Sequence, residues 1–324
     1  MGPAKPVCTT LTLHPAIDRL LDTQRLRAGG LFDVRVRAIV PAGKGINTAR
    51  VLRHLTRGGV AAAAWVGAAD APLFRERLDR EGIAAELCLR ACSTRWAMTI
   101  LEADGRETHF KETMPPPSAQ EKAALLRFLK HLRGETLALC GSAPPRTPIP
   151  FLRHVVGALR RRFPCLIVDS SGPLLREAGR AGCDGLKGNA AEIGEWLGLP
   201  GAWNVARHGH RTLLLKRLAG RSDAGPRAIL ITLGARGAAL ATREGLWTIR
   251  APRVAASRIV SPTGCGDAAT AGWLWAMADG AGPEEALRRS VACGTAKLLN
   301  ADPGVVDPAV CGALRDALEP LRLC

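Results

Sequence analysis

The sequence predicts an α/β protein organised on a mainly parallel β-sheet, and three observations predict it. Short β-branched or apolar runs alternate with amphipathic runs, the order that βαβ units require. The 324 residues are 47% apolar, enough to bury a large core. No internal repeat or low-complexity linker interrupts the pattern, so residues 1–324 read as one domain.

In chain order, strands are expected at 7–13, 61–66, 137–140, 165–169, 185–187 and 228–232, each followed by a helical pattern. A helix over 45–57 opens just after Gly43. Another over 118–133 starts at Ser118, with Glu121 at capping-box spacing, and Pro115-Pro116-Pro117 makes the turn before it. A third covers 268–277, directly after the run Ser-Pro-Thr-Gly-Cys-Gly-Asp. Two stretches, 20–40 and 95–111, break the alternation: strand-like runs there meet turns such as Ala103-Asp104-Gly105, and pattern alone makes them edge hairpins.

The formal net charge is +16, almost all of it from arginine, with 37 Arg against 8 Lys spread along the chain. Aromatic residues make up only 4% and tyrosine is absent, so a stacking platform for single-stranded nucleic acid has little to be built from. A diffuse solvated basic surface is expected, with no specific nucleic-acid partner; it would also draw in anionic small molecules. Ten cysteines occur without any C-x-x-C pair, and Cys140, Cys165 and Cys293 fall in apolar runs, which suits reduced thiols packed as small core residues. No window reaches the roughly 18 apolar residues that span a bilayer, and no membrane partner is expected. A soluble, cytoplasmic protein is the expectation.

The most informative short run is Gly264-Cys265-Gly266-Asp267 ahead of an apolar helix. First-turn N–H groups lack intrahelical acceptors and point, with the positive end of the helix dipole, at whatever precedes them, so this is an anion-holding geometry. A carboxylate there would repel phosphate. Asp267 therefore either caps the helix or accepts a proton from a hydroxyl that attacks a phosphorus. Lys44, between Gly43 and Gly45, and Asn47 in the next turn can reach one ligand together. Lys187, Asn189 and Glu192 form K-x-N-x-x-E at a strand-to-helix junction, either a helix cap or a pair able to order waters around a cation. Asp18 read alone is a turn or cap residue. Thr232, Gly234 and Gly237 form a turn after a strand.

Six of these runs stand in one order: PAGKGINTAR at 41–50, CGSAPP at 140–145, VDSSGPLL at 168–175, LKGNAAEIGEWLG at 186–198, ILITLGARGAAL at 229–240 and VSPTGCGDAATAG at 260–272. In that order and spacing the chain resembles the PfkB (ribokinase-like) carbohydrate kinases over nearly its whole length. TLTLHPAIDRL at 10–20 and STRWAMTILEADGRETHF at 93–110 narrow the resemblance to the branch of 1-phosphofructokinase, tagatose-6-phosphate kinase and the minor 6-phosphofructokinase.

The resemblance implies a ribokinase-like three-layer α/β/α sandwich with a small β-sheet lid, formed by segments of roughly 18–40 and 94–112. It implies ATP and Mg2+, and as acceptor a ketohexose monophosphate, 1-phosphofructokinase-like, giving fructose 1,6-bisphosphate. Tagatose-6-phosphate or 6-phosphofructokinase, a kinase of an unphosphorylated sugar or nucleoside, and a non-catalytic sugar-phosphate-binding protein are the alternatives. By resemblance Asp18, Gly43, Lys44 and Asn47 line the sugar site, and Arg95 grips the phosphate already on the substrate, with Arg27, Arg35 or Arg37 assisting. Asp267 is the base, and Gly264, Cys265 and Gly266 form the anion hole. Lys187, Asn189, Glu192, Thr232, Gly234, Gly237 and Asn300 lie on the nucleotide side, with Asn189 and Glu192 holding magnesium through water. Cys293 and Gly294 either border the adenine or pack in the core. A homodimer through the lid is also implied. The chain departs from the pattern at His14, Pro41-Ala42, Ala97, Gly188 and Cys265. His14 and Ala97 fall on the sugar side, so the departures bear on which sugar is bound. His14 is a sugar contact or a hydrogen-bonded strand-end histidine.

Overall fold

The structure, a computed structural model, describes residues 6–56, 58–199, 201, 203–219 and 225–323. Strand β1 (Cys8–Thr12) is fully buried and pairs in parallel with β4 (Val60–Gly67) on one side and β8 (Thr136–Cys140) on the other. Such strands are covered on both faces, so they read as near-continuous apolar runs. From β4 the sheet continues in parallel to β5 (Ala84–Arg90). From β8 it runs in parallel through β9 (Cys165–Asp169), β10 (Gly185–Asn189) and β11 (Ala228–Thr232). Beyond β11 the pairing turns antiparallel through β12 (Ala238–Thr242), β13 (Gly245–Ile249) and the short β14 (Leu321–Arg322).

Helices cover both faces. On one side α1 (Lys44–Leu55), α2 (Ala71–Arg80), α8 (Cys265–Ala278), α9 (Pro283–Lys297) and α10 (Pro308–Asp316) bury Ile46, Phe74, Leu274, Leu287 and Cys311 in one core. On the other side α3 (Ala119–Leu129), α4 (Ile149–Arg162), α5 (Gly172–Ala181), α6 (Ala190–Leu197) and α7 (His208–Ala219) bury Leu125, Val155, Leu175, Ile193 and Leu214 in a second. This is the three-layer sandwich, with a mainly parallel central sheet. Arg160, Arg161 and Arg162 fall in the last turn of α4, where cations complement the helix dipole.

A separate four-stranded sheet has the order β3-β2-β6-β7, built from β2 (Ala16–Thr23), β3 (Arg35–Ala42), β6 (Arg95–Glu102) and β7 (Glu107–Lys111). The two stretches that broke the alternation are therefore one small sheet, not two edge hairpins. They pair with each other because β2 and β6 both leave the carboxyl end of the main sheet and run parallel in register from Ala16↔Arg95.

Other expectations shift by small amounts. The helix expected over 45–57 runs Lys44–Leu55, and Arg57 lies outside the described residues. The capping box at Ser118 and Glu121 is present, and its helix stops at Leu129. Two expectations fail: β1 is followed by strands β2 and β3 before any helix, and no helix follows 228–232. A turn at Gly234–Arg236 leads instead into antiparallel β12. Alanine-rich 238–242 has no strong strand propensity of its own, and burial between the helical layers decides its state. No helix among the described residues is long and apolar enough to cross a membrane.

Helix α8 lies close against α9 at Gly272, where an added Cβ would stand 2.4 Å from the Arg289 carbonyl oxygen. Nothing lies within 4 Å of a Cβ built at Gly312 in α10. In urea denaturation Gly272→Ala is expected to cost about 1–3 kcal/mol by overpacking. Gly312→Ala is expected to gain about 0.5–1 kcal/mol, the helix-interior preference of Ala over Gly. Equal effects from the two would show that α8 and α9 do not pack this closely.

Candidate active site

The chain leaves β1 first toward β4 and later toward β8, on opposite sides, so the sheet's switch point lies beside β1. Open α/β sheets bind ligands at such a point, outside the carboxyl ends of the strands. The register aligns Thr12, Cys140, Asp169 and Lys187 across β1, β8, β9 and β10 at that edge. Two helices begin there: α1 at Lys44, with Gly43 as N-cap, and α8 at Cys265, with Gly264 as N-cap. Gly264 takes φ 88° and packs on Pro303, whose carbonyl oxygen would be 2.6 Å from any Cβ, so the turn into α8 requires glycine.

Asp169, at the end of β9, is fully buried and joins these elements. Lys187 Nζ lies 3.0 Å from its Oδ2, Lys44 Nζ lies 3.3 Å from its Oδ1, and Thr270 Oγ1 of α8 donates to Oδ2 at 2.7 Å. Burial alone would raise this carboxyl's pKa. The two lysines and the threonine outweigh burial and hold it below the usual carboxylate range. Asp169 in turn raises the pKa of Lys44, against burial.

Asp267 sits in the first turn of α8, and no side-chain cap bond is made there, so its carboxylate does not act as the helix cap. It accepts instead from Asn47 Nδ2 at 2.9 Å, a contact between α8 and α1. Burial first and the Asp169 charge second push its pKa up to about 6, against the Asn47 bond and the charges of Lys187 and Lys44. The side chain is 7% exposed. Lys187 is buried, and its ammonium stands 3.1 Å from where a Gly266 Cβ would be, placing positive charge beneath the loop.

The lid sheet brings a second group of charges to the same edge. Asp18 is neither a turn nor a cap residue: it stands in mid-strand in β2, opposite Ala97 of β6. Burial pushes its pKa up to about 6, against the positive charges of Arg95, Arg50 and Lys111. Arg95 opens β6 and donates from Nη2 to the His14 carbonyl at 3.5 Å, while burial lowers its pKa and Asp18 opposes that. Arg35 and Arg37 lie 2.7 and 3.4 Å from Asp22 within the lid.

On the other side of the switch point, Asn189 caps α6. Its Oδ1 accepts from the N–H groups of Ala191 and Glu192 at 2.9 and 3.0 Å, and its own N–H donates to Glu192 Oε2 at 2.7 Å. The Glu192 charge also raises the pKa of Lys44. Thr232 lies beside Asn189 in register, and Gly234 and Gly237 bracket the turn that follows. The Asn300 carbonyl accepts from buried Lys297 at 2.6 Å, and Gly294 packs on the Cys265 carbonyl. Cys293 is fully buried beside Cys311 in the α9–α10 core, which fits the packing alternative. Every described cysteine is free. No group of three or more His, Cys, Asp or Glu that could hold a metal occurs among the described residues.

Asp169 and Thr270 escape notice from sequence. The available signal for Asp169 is its place, a carboxylate ending an apolar strand of a parallel sheet just before Ser170-Ser171-Gly172. Thr270 carries none, since it reads as one more small residue of an apolar helix.

Comparison with known proteins adds to this geometry. The pfkB family carbohydrate kinase profile matches residues 13–308. The 1-phosphofructokinase of Bacillus subtilis (strain 168) is 25% identical over 300 residues, covering 91% of this chain and 93% of that protein. The 1-phosphofructokinase of Escherichia coli (strain K12) is 26% identical over 325 residues, covering 97% and 98%. The ATP-dependent 6-phosphofructokinase isozyme 2 of Mycobacterium tuberculosis is 29% identical over 328 residues, covering 97% and 88%. Among solved structures, phosphofructokinase-2 from Escherichia coli in complex with fructose-6-phosphate superposes with a TM-score of 0.83 at 22% identity, over 96% of this chain and 99% of that one. Arabidopsis thaliana ribokinase complexed with ribose and ATP gives 0.70 at 20% identity, over 96% and 99%. At these identities the two structures establish the fold, which is ribokinase-like. The profile, running through both the lid and the Asp267 loop, establishes the family: this chain belongs to the pfkB family of carbohydrate kinases and is an ATP-dependent sugar kinase.

Proposed function

We propose that this kinase transfers the γ-phosphoryl group of ATP to a hydroxyl of a ketohexose monophosphate, in the manner of a 1-phosphofructokinase, yielding fructose 1,6-bisphosphate. The observation that carries the proposal is Asp267: a buried carboxylate with its pKa pushed up to about 6, bonded to Asn47 and set in the first turn of α8. A base poised near the working pH, beside N–H groups without intrahelical acceptors, suits removal of a hydroxyl proton during phosphoryl transfer. The proton passes to Asp267 Oδ as the sugar oxygen bonds to phosphorus, and the bond to the ADP oxygen breaks. Amides of Gly264, Cys265 and Gly266 offset charge on the moving group, and Lys44 adds a mobile cation.

Relatives named 1-phosphofructokinase that span nine-tenths or more of the chain support the acceptor class. A phosphorylated acceptor is further supported by Arg95, whose buried Nε has no partner among the described residues. The 6-phosphofructokinase relative keeps fructose 6-phosphate as the second reading. The nucleotide side is assigned to Lys187, Asn189, Glu192, Thr232, Gly234, Gly237 and Asn300. The donor set suits magnesium held through water: Glu192 has a carboxylate oxygen not used in the cap, and magnesium commonly rests on substrate phosphates with few protein ligands. When bound it supplies charge neutralisation on the phosphates.

Asp267→Asn is expected to lower kcat by about 10²–10⁴-fold while sugar-phosphate binding persists. Removing a buried charge whose pKa is raised should leave melting at pH 7 no lower than the parent's, so the loss is not one of folding. In the parent, kcat/KM should fall as pH drops through about 6, where Asp267 takes up its proton. An undiminished rate in the variant, or a flat profile between pH 5 and 7, would overturn the base assignment.

Arg95→Ala should raise KM for the phosphorylated acceptor by about tenfold or more, the size of a lost charge-assisted contact. A panel of fructose 1-phosphate, fructose 6-phosphate, tagatose 6-phosphate and free sugars, read by ADP release, identifies the acceptor. A KM unaltered by Arg95→Ala together with turnover of free sugars alone would favour the unphosphorylated-sugar alternative.

The lid region also exposes Leu31, Val34, Val36 and Phe110, which suits a homodimer formed through it. Leu31→Asp combined with Phe110→Asp should halve the mass seen in sedimentation equilibrium; an unchanged mass would sink the lid dimer.

A further inference from the structure

His14 leaves the end of β1 where the resembled pattern carries asparagine, and Ala97 stands where it carries a second one. The chain has therefore lost two amide donors on the sugar side and gained one imidazole. That imidazole is tied at one end and orphaned at the other. Nδ1 faces Ser142 Oγ at 3.3 Å, and Nε2 is buried with no hydrogen-bond partner among the described residues. Its neighbour Arg95 repeats the situation: Nη2 is held by the His14 carbonyl at 3.5 Å, and Nε is buried without a partner among the described residues. Buried polar atoms without partners are costly and infrequent, and two on adjacent side chains suggest a shared ligand.

The charges specify what that ligand is. Burial, Arg95 and Arg90 together lower the pKa of His14 to about 4, so the ring is neutral at physiological pH. Lys111 adds positive charge on the Asp18 side, in register opposite Ala97. The Ser142 contact is compatible with either tautomer of the neutral ring; in the one whose Nδ1 accepts from the hydroxyl, the proton sits on Nε2, which is then a donor. Two N–H donors in cationic surroundings call for an acceptor-only, anionic group, and a phosphate dianion is one.

We propose that His14 is a substrate-contacting residue of this chain, its Nε2 donating to the phosphate carried by the sugar, beside Arg95 Nε, with Ser142 fixing the ring through Nδ1. This rests on the phosphorylated-ketose reading above and deepens it. It also accounts for the departures at positions 14 and 97 together, because the longer imidazole supplies the donor that Ala97 cannot.

The test compares His14→Ala, His14→Gln and Ser142→Ala with the parent, using the sugar phosphate the parent turns over best, and ATP. Calorimetric titration of the same sugar phosphate without ATP provides a readout independent of turnover. His14→Ala should weaken sugar-phosphate binding and raise its KM by about tenfold, while KM for ATP moves less than twofold. His14→Gln, which keeps a donor near the Nε2 position, should recover part of that loss, and Ser142→Ala should show a smaller loss of the same kind. Thermal melting identifies any variant that has failed to fold, and the glutamine variant then carries the test. Unchanged sugar-phosphate affinity in a folded His14 variant, or an equal loss toward ATP, would overturn the proposal while leaving Arg95→Ala to judge the wider reading. A parent that phosphorylates only free sugars would overturn the wider reading and this proposal with it.

Discussion

A carboxylate buried without water must be met by cations and donors, and Asp169 imposes that condition on the whole site. Its oxygens are shared by Lys187 from β10, Lys44 from the start of α1 and Thr270 from the second turn of α8. Losing one partner would leave an uncompensated charge in the interior, so the three elements are held in one arrangement. That arrangement points the N-terminal ends of α1 and α8 at the same space. Asn47 and Asp267, near the start of each helix, then meet across it. Asp169 need not touch a ligand to matter. It sets where Lys44, Asn47 and Asp267 stand.

The two carboxylates of the network are driven in opposite directions by their neighbours. Asp169 is surrounded by lysines and stays ionised, whereas Asp267, buried and facing Asp169, is pushed toward neutrality. Pairs of titratable groups whose environments separate their pKa values are a recurring mark of acid–base sites. A charge held against burial is a stability cost that active sites tolerate for reactivity. Asp18, pushed up by burial in the lid sheet, is balanced by Arg95. Positive charge supplied by Lys44, Lys187 and Arg95 is thus gathered with proton-accepting oxygen at one edge of the sheet, a combination suited to moving a phosphoryl group onto an alcohol.

The lid follows from the same edge. β2 and β6 leave the main sheet near His14 and Thr94 and pair in parallel, which carries Asp18 and Arg95 over the strand ends. A loop could hold the same residues, but without the ladder that fixes their relative height. Rigid elements place functional groups more accurately than loops do.

Much of this was legible in the residues alone. Alternating apolar and amphipathic runs specify a parallel sheet because strands covered on both faces must be apolar throughout. Gly264 and Gly266 before Asp267 specify a tight, glycine-bracketed helix start, and ordered motifs specify the family. Pattern could not join the two halves of the lid, because the partners β2 and β6 are far apart in sequence and pair only after the sheet brings their starting points together. Nor could it tell Asp18 in mid-strand from a turn residue, foresee that 238–242 would be a strand, or single out Asp169 and Thr270. Local propensity and spacing are short-range properties of the chain. Which buried charges must share a partner is decided only when packing removes water from around them.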